Sequence, residues 1–432
     1  MKRKHPWNVL IFPAATEIGL GIFDALRNCK EAALFGADIA KPTLADFCYK
    51  KLYNLPLIHE PNFMNALNQL IADLNIDAIF PASDDACLSL AEKADRLSIP
   101  VITSPFETCR IARSKRLTYE ALGNVVPIPE IFAKADNNIA WPCFVKPDCG
   151  QGSLRARHVN DFATLQAALE GEPDLLTLEY LPGTEYTVDC FSHPVHGLLY
   201  AQARERIQTK AGISVQTQPV RLREAWDYAA RISKKMVFHG AWFFQVKYSA
   251  KGELKLLEIA PRLAGSMVMS YAFGPNLPLL SLYAAMGCDI TAVPVSSSFR
   301  VRLGRSLNIK FIDERPIGAL YMDYDDTLIT HGRVNTQMIA LIFNCRNRGI
   351  PVILISRHSG ELEVSLAKYG LTNMFDRIIH IPDPTMSKAQ FIKEDDAVLI
   401  DDSFGERNLA IEDRGIRCFD SATAICLIDE RI

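Results

Sequence analysis

The sequence predicts an α/β protein of three domains, and three observations predict it. Residues 7 to about 110 alternate short apolar runs with amphipathic segments, the signature of a parallel, doubly wound sheet covered by helices. Residues 111–312 add paired apolar strands joined by turns. Past Asp313-Glu314-Arg315-Pro316 a new alternation begins, with acidic residues at its strand ends. The expected domains are therefore 1–110, 111–312 and 316–432.

Composition bounds the function. The hydrophobic share of 49% and charged share of 22% are those of an ordinary globular protein. A net charge of −3 gives no sign of a nucleic-acid or membrane partner. Eleven cysteines without CxxC or zinc-like spacing argue for reduced thiols and a cytoplasmic location. The start, MKRKHPWNVLIFPAA, imitates a signal peptide, but Pro13 and Thr16-Glu17 interrupt its apolar run early, so a first strand is expected. No stretch is apolar for long enough to span a bilayer.

In the first domain, strands are expected at Asn8–Phe12, Ala32–Phe35, Ala78–Phe80 and Val101–Thr103, with helices over Met64–Leu74 and Asp85–Leu97. Ligands of such sheets lie at the carboxyl ends of strands, here Thr16-Glu17-Ile18-Gly19 and Ser83-Asp84-Asp85. Ser83 and Asp84 are thus candidate substrate contacts, while Ser83 also reads as a helix cap. Gly19 and Gly21 do not form GxGxxG.

Lys115 opens an amphipathic helix, and Lys146 sits on the apolar strand Pro142–Pro147 ahead of Asp148-Cys149-Gly150-Gln151-Gly152-Ser153. An ammonium backed by a small, flexible loop can grip phosphate, although a surface lysine beside a turn has the same pattern. The run ending Leu178-Glu179-Tyr180-Leu181, then Pro182-Gly183-Thr184-Glu185, can offer backbone groups to an adenine edge, with Glu185 reaching ribose hydroxyls. Arg204, Arg206 and Lys210 lie before Gly212 in a segment expected to be either a solvated basic loop or a cationic lid over a carboxylate or triphosphate. His193 and His196 flank a turn and read as exposed; Cys143 and Cys149 read as small buried residues. Strands Trp242–Tyr248 and Glu253–Ile259 form a hairpin whose Gly252 takes a positive φ. Gln245 and Glu258 in it can ligate Mg²⁺ through oxygen, and Arg262 can cover phosphate oxygens; an ordinary Glu–Arg ion pair is the alternative.

Taken in order, these segments resemble the ATP-grasp superfamily over roughly residues 5–312, close to the synthetase lobes of carbamoyl phosphate synthase and related amino-acid ligases. The chain is also similar to ATP-grasp proteins of biosynthetic clusters beside tellurite-resistance genes. The resemblance implies a pre-ATP-grasp domain followed by a two-lobed α+β domain that clamps ATP. It implies Lys115 and Lys146 as phosphate ligands, Gly152 and Ser153 in a mobile loop, and Glu179 and Leu181 at the adenine hinge. It also implies Glu185 at the ribose, Gln245 and Glu258 on Mg²⁺ (Mn²⁺ as an alternative), and Arg262 on the phosphate side. Arg204 and Arg206 would face the substrate. One departure is Ala260, where Glu-x-Asn-Pro-Arg is usual, which removes one ligand of a second metal.

The third region delivers Asp323 and Asp325 from the strand before Asp323-Tyr324-Asp325-Asp326-Thr327. Ser356, Lys388 and Asp401-Asp402 follow, with Glu406 beyond. Carboxylates from two strand ends can converge on one Mg²⁺, with Ser356 and Lys388 on a phosphoryl group. This resembles the haloacid dehalogenase (HAD) superfamily of phosphatases, a Rossmann-like fold. The resemblance implies Asp323 as nucleophile, Asp325 as general acid/base, and Asp323, Asp325, Asp401 and Asp402 around the metal. Only 33 positions separate Asp323 from Ser356, too few for a cap.

The expected activity is bifunctional. An ATP-dependent ligase joins a small-molecule carboxylate to an amine, and a fused phosphatase acts on a phosphorylated metabolite of the same pathway. The alternative is a regulatory ATP-binding half beside an active phosphatase. A homodimer is the default assembly.

Overall fold

The computed structural model describes residues 6–431 except 134–138, 151, 153, 173, 211, 296–300, 306–309, 382 and 384. Two units result, Met1–Leu307 and Asn308–Arg431. Among the described residues, no helix is long and apolar enough to cross a membrane.

The first unit begins with a four-stranded parallel sheet in the order Leu52–Asn54, Ala32–Asp38, Trp7–Phe12, Ala78–Pro81. The central strand WNVLIF is almost wholly buried because helices cover both of its faces. Thr16 caps helix Glu17–Leu26 by accepting from the Gly19 amide at 2.9 Å. Gly19 must be small: a Cβ there would stand 2.6–2.7 Å from the carbonyl oxygens of Ala14 and Pro13. Two expectations are corrected. Val101 forms only an isolated bridge to Ile79, since Pro100 and Pro105 bracket so short a run. The helix opened by Asp84 ends at Glu92 and passes into a 3₁₀ turn rather than reaching Leu97.

A small antiparallel sheet follows, ordered Ile131–Phe132, Leu175–Glu179, Cys143–Pro147, Arg157–Val159, with helix Phe162–Gly171. The larger sheet has six antiparallel strands in the order Leu254–Ala260, Gly240–Tyr248, Glu185–His193, Gly197–Lys210, Ile213–Pro219, Leu303–Gly304. Its two faces follow directly from period-two alternation. Val188, Cys190, Ala203, Trp242, Phe244 and Val246 point one way and pack on Ala225, Ala229 and Ile232 of helix Ala225–Lys235. The intervening residues Glu185, Thr187, Asp189, Arg204, Arg206, Gln245 and Glu258 must therefore share the opposite face.

Arg204–Ser214, expected as a loop or lid, is instead the end of the Gly197–Lys210/Ile213–Pro219 hairpin, with Gly212 at φ +73°. Alternating β-branched and polar residues there satisfy the backbone by pairing. His193 is buried, its Nε2 beside the Cys288 carbonyl at 3.1 Å, whereas His196 is exposed as expected. Cys143 is buried as expected, but Cys149 is exposed. All eleven cysteines are free thiols.

The second unit is a five-stranded parallel sheet ordered Arg377–His380, Val352–Ser356, Ala319–Met322, Ala397–Ile400, Arg417–Phe419. Strand order reverses at Ala319–Met322, so its carboxyl end forms the crevice where such sheets bind ligands.

Candidate functional site

The polar face of the six-stranded sheet and the small sheet line one cleft. Lys115, Lys146, Gly152, Glu179, Leu181, Glu185, Gln245 and Glu258 all border it, eight of the residues singled out from the sequence. Ser153 lies outside the described residues. Gln245 and Glu258 are direct cross-strand partners, so their side chains stand together. Lys146 donates to the Leu257 carbonyl at 3.1 Å and lies 5.6 Å from the Tyr119 ring centre. Burial pushes its ammonium down to about 8, against the opposing pull of Glu258 and Glu185. Burial likewise lowers Lys115, whose Nζ reaches the Asp148 carbonyl at 3.2 Å. Two desolvated cations beside two side chains with oxygen donors could receive a polyanion and a hard metal ion.

At the far end, Lys255 fixes the Glu179 carboxylate at 2.6 Å, and the Glu130 amide donates to it at 3.1 Å. The Glu179 side chain is thereby committed, and residues 179–181 border the cleft. Gly183 admits no side chain, since a Cβ would lie 2.5 Å from that of Tyr248. Glu185 pairs with Arg206 at 2.8 Å, so any ribose contact shares that carboxylate.

A second cavity of about 350 Å³ adjoins this cleft and shares Lys115, Gln245 and Glu258 with it. Ser83, Asp84, Arg204, Arg206 and Arg262 border it. Ser83 spends its hydroxyl on capping, accepting from Ala86 at 3.1 Å. Arg262 takes an aspartate, not a glutamate, as its ion-pair partner. It is clamped by Asp84 at 2.5 and 2.8 Å, and its third nitrogen donates to Leu263 at 3.0 Å. Burial opposes the charge of Arg262, yet Asp84 outweighs that and holds the guanidinium above its ordinary value.

The second unit holds a separate constellation at its switch point. Asp323 and Asp401 end adjacent parallel strands, and with Asp402 they place carboxylate oxygens within 4.8 Å of one another. Lys388 donates to Asp323 and to Asp401, each at 2.6 Å. Burial raises Asp323 to about 7, Lys388 pulls it back and Asp401 adds to the rise. Three carboxylates this close could hold a divalent cation such as Mg²⁺. Ser356 is fully buried at the end of the neighbouring strand, its Oγ accepting from the His358 amide at 3.1 Å.

One expectation fails here. Asp325 does not join the metal-type cluster; its carboxylate turns to His358 Nδ1 at 2.9 Å. The strand ends at Met322 and the chain bends at Tyr324, so the period-two spacing of a strand no longer carries Asp325 to the side of Asp323. Glu406 is committed to Arg357 at 2.7 Å and to the Lys388 amide at 2.9 Å. His358, Thr327 and the buried Asp189 were missed. Thr327 and Asp402 bind each other through the Asp402 amide at 2.9 Å. Thr327 closes the DxDxT run and His358 stands two residues past Ser356, so position alone could have flagged both.

Residues 171–306 match the family described as ATP-grasp in the biosynthetic pathway with Ter operon. The 3-methyl-D-ornithine–L-lysine ligase of Methanosarcina barkeri is 26% identical over 236 residues, 52% of this chain and 60% of that protein. Its Methanosarcina mazei counterpart is 32% identical over 130 residues, 29% of this chain and 31% of its own length. The chain thus spans about 60% of the length of the longest of these matches. Among solved structures, L-amino acid ligase from Bacillus licheniformis superposes with a TM-score of 0.53 at 19% identity, covering 66% of this chain and 75% of that one. N5-carboxyaminoimidazole synthetase from Staphylococcus aureus, complexed with ADP, gives 0.55 at 15%, covering 68% and 81%. The first unit has the ATP-grasp fold preceded by its pre-ATP-grasp domain.

Proposed function

We propose that the first unit is an ATP- and Mg²⁺-dependent ligase that joins a carboxylate to an amine through an acyl phosphate. The observation that carries this reading is the single cleft bordered by Lys115, Lys146, residues 179–181, Gln245 and Glu258. Lys115 and Lys146 would bind the phosphates, with Gly152 in the loop beside them, and residues 179–181 the adenine, with Glu185 at the ribose. Gln245 and Glu258 would hold magnesium, which would offset phosphate charge. A carboxylate oxygen then attacks the γ-phosphorus as ADP departs, and the amine displaces phosphate from the acyl group. No protein nucleophile is required, because orientation and charge neutralisation carry the step.

Similarity to relatives named 3-methyl-D-ornithine–L-lysine ligases supports amino acids as both carboxylate and amine. Free thiols throughout are consistent with work in the cytoplasm. The test is ADP release and product mass with pairs of amino acids, ATP and Mg²⁺, where Lys146→Ala and Glu258→Gln abolish turnover. Tight ATP binding without turnover on any pair would favour the sensor reading that Ala260 motivates.

For residues 316–432 we propose a capless HAD-type phosphomonoesterase. Its support is Lys388 bridging Asp323 and Asp401 beside Asp402. Asp323 would attack the phosphorus of a monoester, giving an aspartyl phosphate that water then hydrolyses. Asp325, hydrogen-bonded to His358, would serve as the acid and base, and Ser356 with Lys388 would hold the phosphoryl group. Asp323, Asp401 and Asp402 would hold magnesium, which supplies charge neutralisation. Release of phosphate from p-nitrophenyl phosphate, Mg²⁺-dependent and lost in Asp323→Asn, tests it.

A further inference from the structure

We infer that Arg204, rather than Arg262, receives the substrate carboxylate that becomes phosphorylated, with Thr187 as the second donor. The inference rests on the ligase reading of the first unit and names the residues that would select its acid substrate.

Glu258, Gln245, Thr187 and Arg204 are successive cross-strand partners on four neighbouring strands. Directly opposed side chains stand about 5 Å apart on one face, so the row runs roughly 15 Å from the oxygen ligands to the guanidinium. Arg204 is 1% exposed and Thr187 fully buried. Asp189 takes Nε and Nη2 of Arg204 at 2.7 and 3.1 Å, which fixes the plane of the guanidinium. Nη1 has no hydrogen-bond partner among the described residues, and neither has the Thr187 hydroxyl. Two adjacent buried polar groups of this kind are rare in a folded chain, because unmet hydrogen-bonding capacity is costly.

Arg204 borders the 350 Å³ cavity that also touches Gln245 and Glu258. Arg262 borders the same cavity with all three of its nitrogens engaged by Asp84 and Leu263. A carboxylate entering there meets Arg204 Nη1, a guanidinium nitrogen with both of its N–H groups unspent among the described residues. One of its oxygens would accept from Arg204 Nη1 and the Thr187 hydroxyl. The other would form the new bond to the γ-phosphorus while the P–O bond to ADP breaks, its electron pair leaving with ADP. Asp189 neutralises the arginine between turnovers, so the pocket is not a general anion trap. The ligand class is a small organic acid, with an amino-acid carboxylate as the committed case.

The test uses the full chain loaded with MgADP and follows thermal shift with the twenty standard L-amino acids and D-ornithine, each beside its α-amide. ADP release with ATP gives KM for every acid that binds. Wild-type protein responds to at least one acid and not to its amide. Arg204→Lys keeps the ion pair with Asp189 but loses Nη1, and raises KM for that acid about tenfold to a hundredfold. Thr187→Val raises it several-fold, and both variants bind MgADP within twofold of wild type. The neutral pair Asp189→Asn/Arg204→Gln serves if Arg204→Lys folds poorly, with the same expected loss. Unchanged KM in a folded Arg204 variant, equal response to acid and amide, or MgADP binding with no response to any acid overturns the assignment. Wild-type protein that binds no MgADP overturns the ligase reading and this inference with it.

Discussion

Replacing Lys146 by Met separates the cost of a binding residue from its use. Lys146 is buried, and its ammonium is lowered from 10.5 to about 8 chiefly by loss of water. That displacement corresponds to about 3 kcal/mol of penalty on the charged form. A lysine whose folded-state value lies below its unfolded one weakens the fold wherever both forms are protonated. The penalty is therefore complete below about pH 8 and fades as pH rises toward 10.5. Methionine removes it but also forfeits the Leu257 hydrogen bond and the contact with Tyr119, together about 1–1.5 kcal/mol. At pH 7 the nucleotide-free first unit should gain about 1.5–2 kcal/mol, read as a higher urea midpoint with an unchanged slope. ATP affinity should fall about tenfold to a hundredfold, the loss of one charge-assisted hydrogen bond, read by calorimetry. A variant that is less stable than wild type yet binds ATP as tightly would refute the reasoning, since Lys146 would then be a structural cation.

Other outcomes are expected from the same geometry. Asp323 needs its charge to attack phosphorus, so without added metal the slow hydrolysis of p-nitrophenyl phosphate should rise with pH through about 7; Mg²⁺ should move that midpoint to lower pH. The raised Asp323 value also means folding stability falls between about pH 4 and 7, so Mg²⁺ should stabilise the second unit more at pH 8 than at pH 5 by thermal unfolding. Gly183→Ala should raise KM for ATP by about tenfold or more, because the new methyl would push the 179–184 segment off Tyr248; steady-state kinetics read it. His358→Gln should lower kcat of the phosphatase with little change in KM, because it orients Asp325 rather than the phosphoryl group.

Much of this was readable from sequence because its signals are local. Buried parallel strands announce themselves as apolar runs, so WNVLIF and ALYM each place the residues just beyond them at a strand end. The Gln245/Glu258 pairing comes from hairpin register once Gly252 marks the turn. The illegible part depends on partners remote in the chain. Arg262 meets Asp84 across 178 positions, and no local pattern says that this arginine is already spoken for. The polar face of the large sheet was hidden in the same way. Thr187 and Asp189 alternate with apolar neighbours, as in any half-buried strand, and only the fold shows that their side faces a cleft rather than solvent. Arg204–Ser214 was misread because charge density in a segment says nothing about whether its backbone finds a partner strand.

The central claim is that one polypeptide carries two chemically independent phosphate-handling centres. It is tested most directly by measuring amino-acid-dependent ADP release and p-nitrophenyl phosphate hydrolysis side by side in wild type, Lys146→Met and Asp323→Asn. The account predicts that each substitution removes one activity at least a hundredfold and leaves the other within twofold. Loss of both activities from either substitution, or of neither from both, would contradict it.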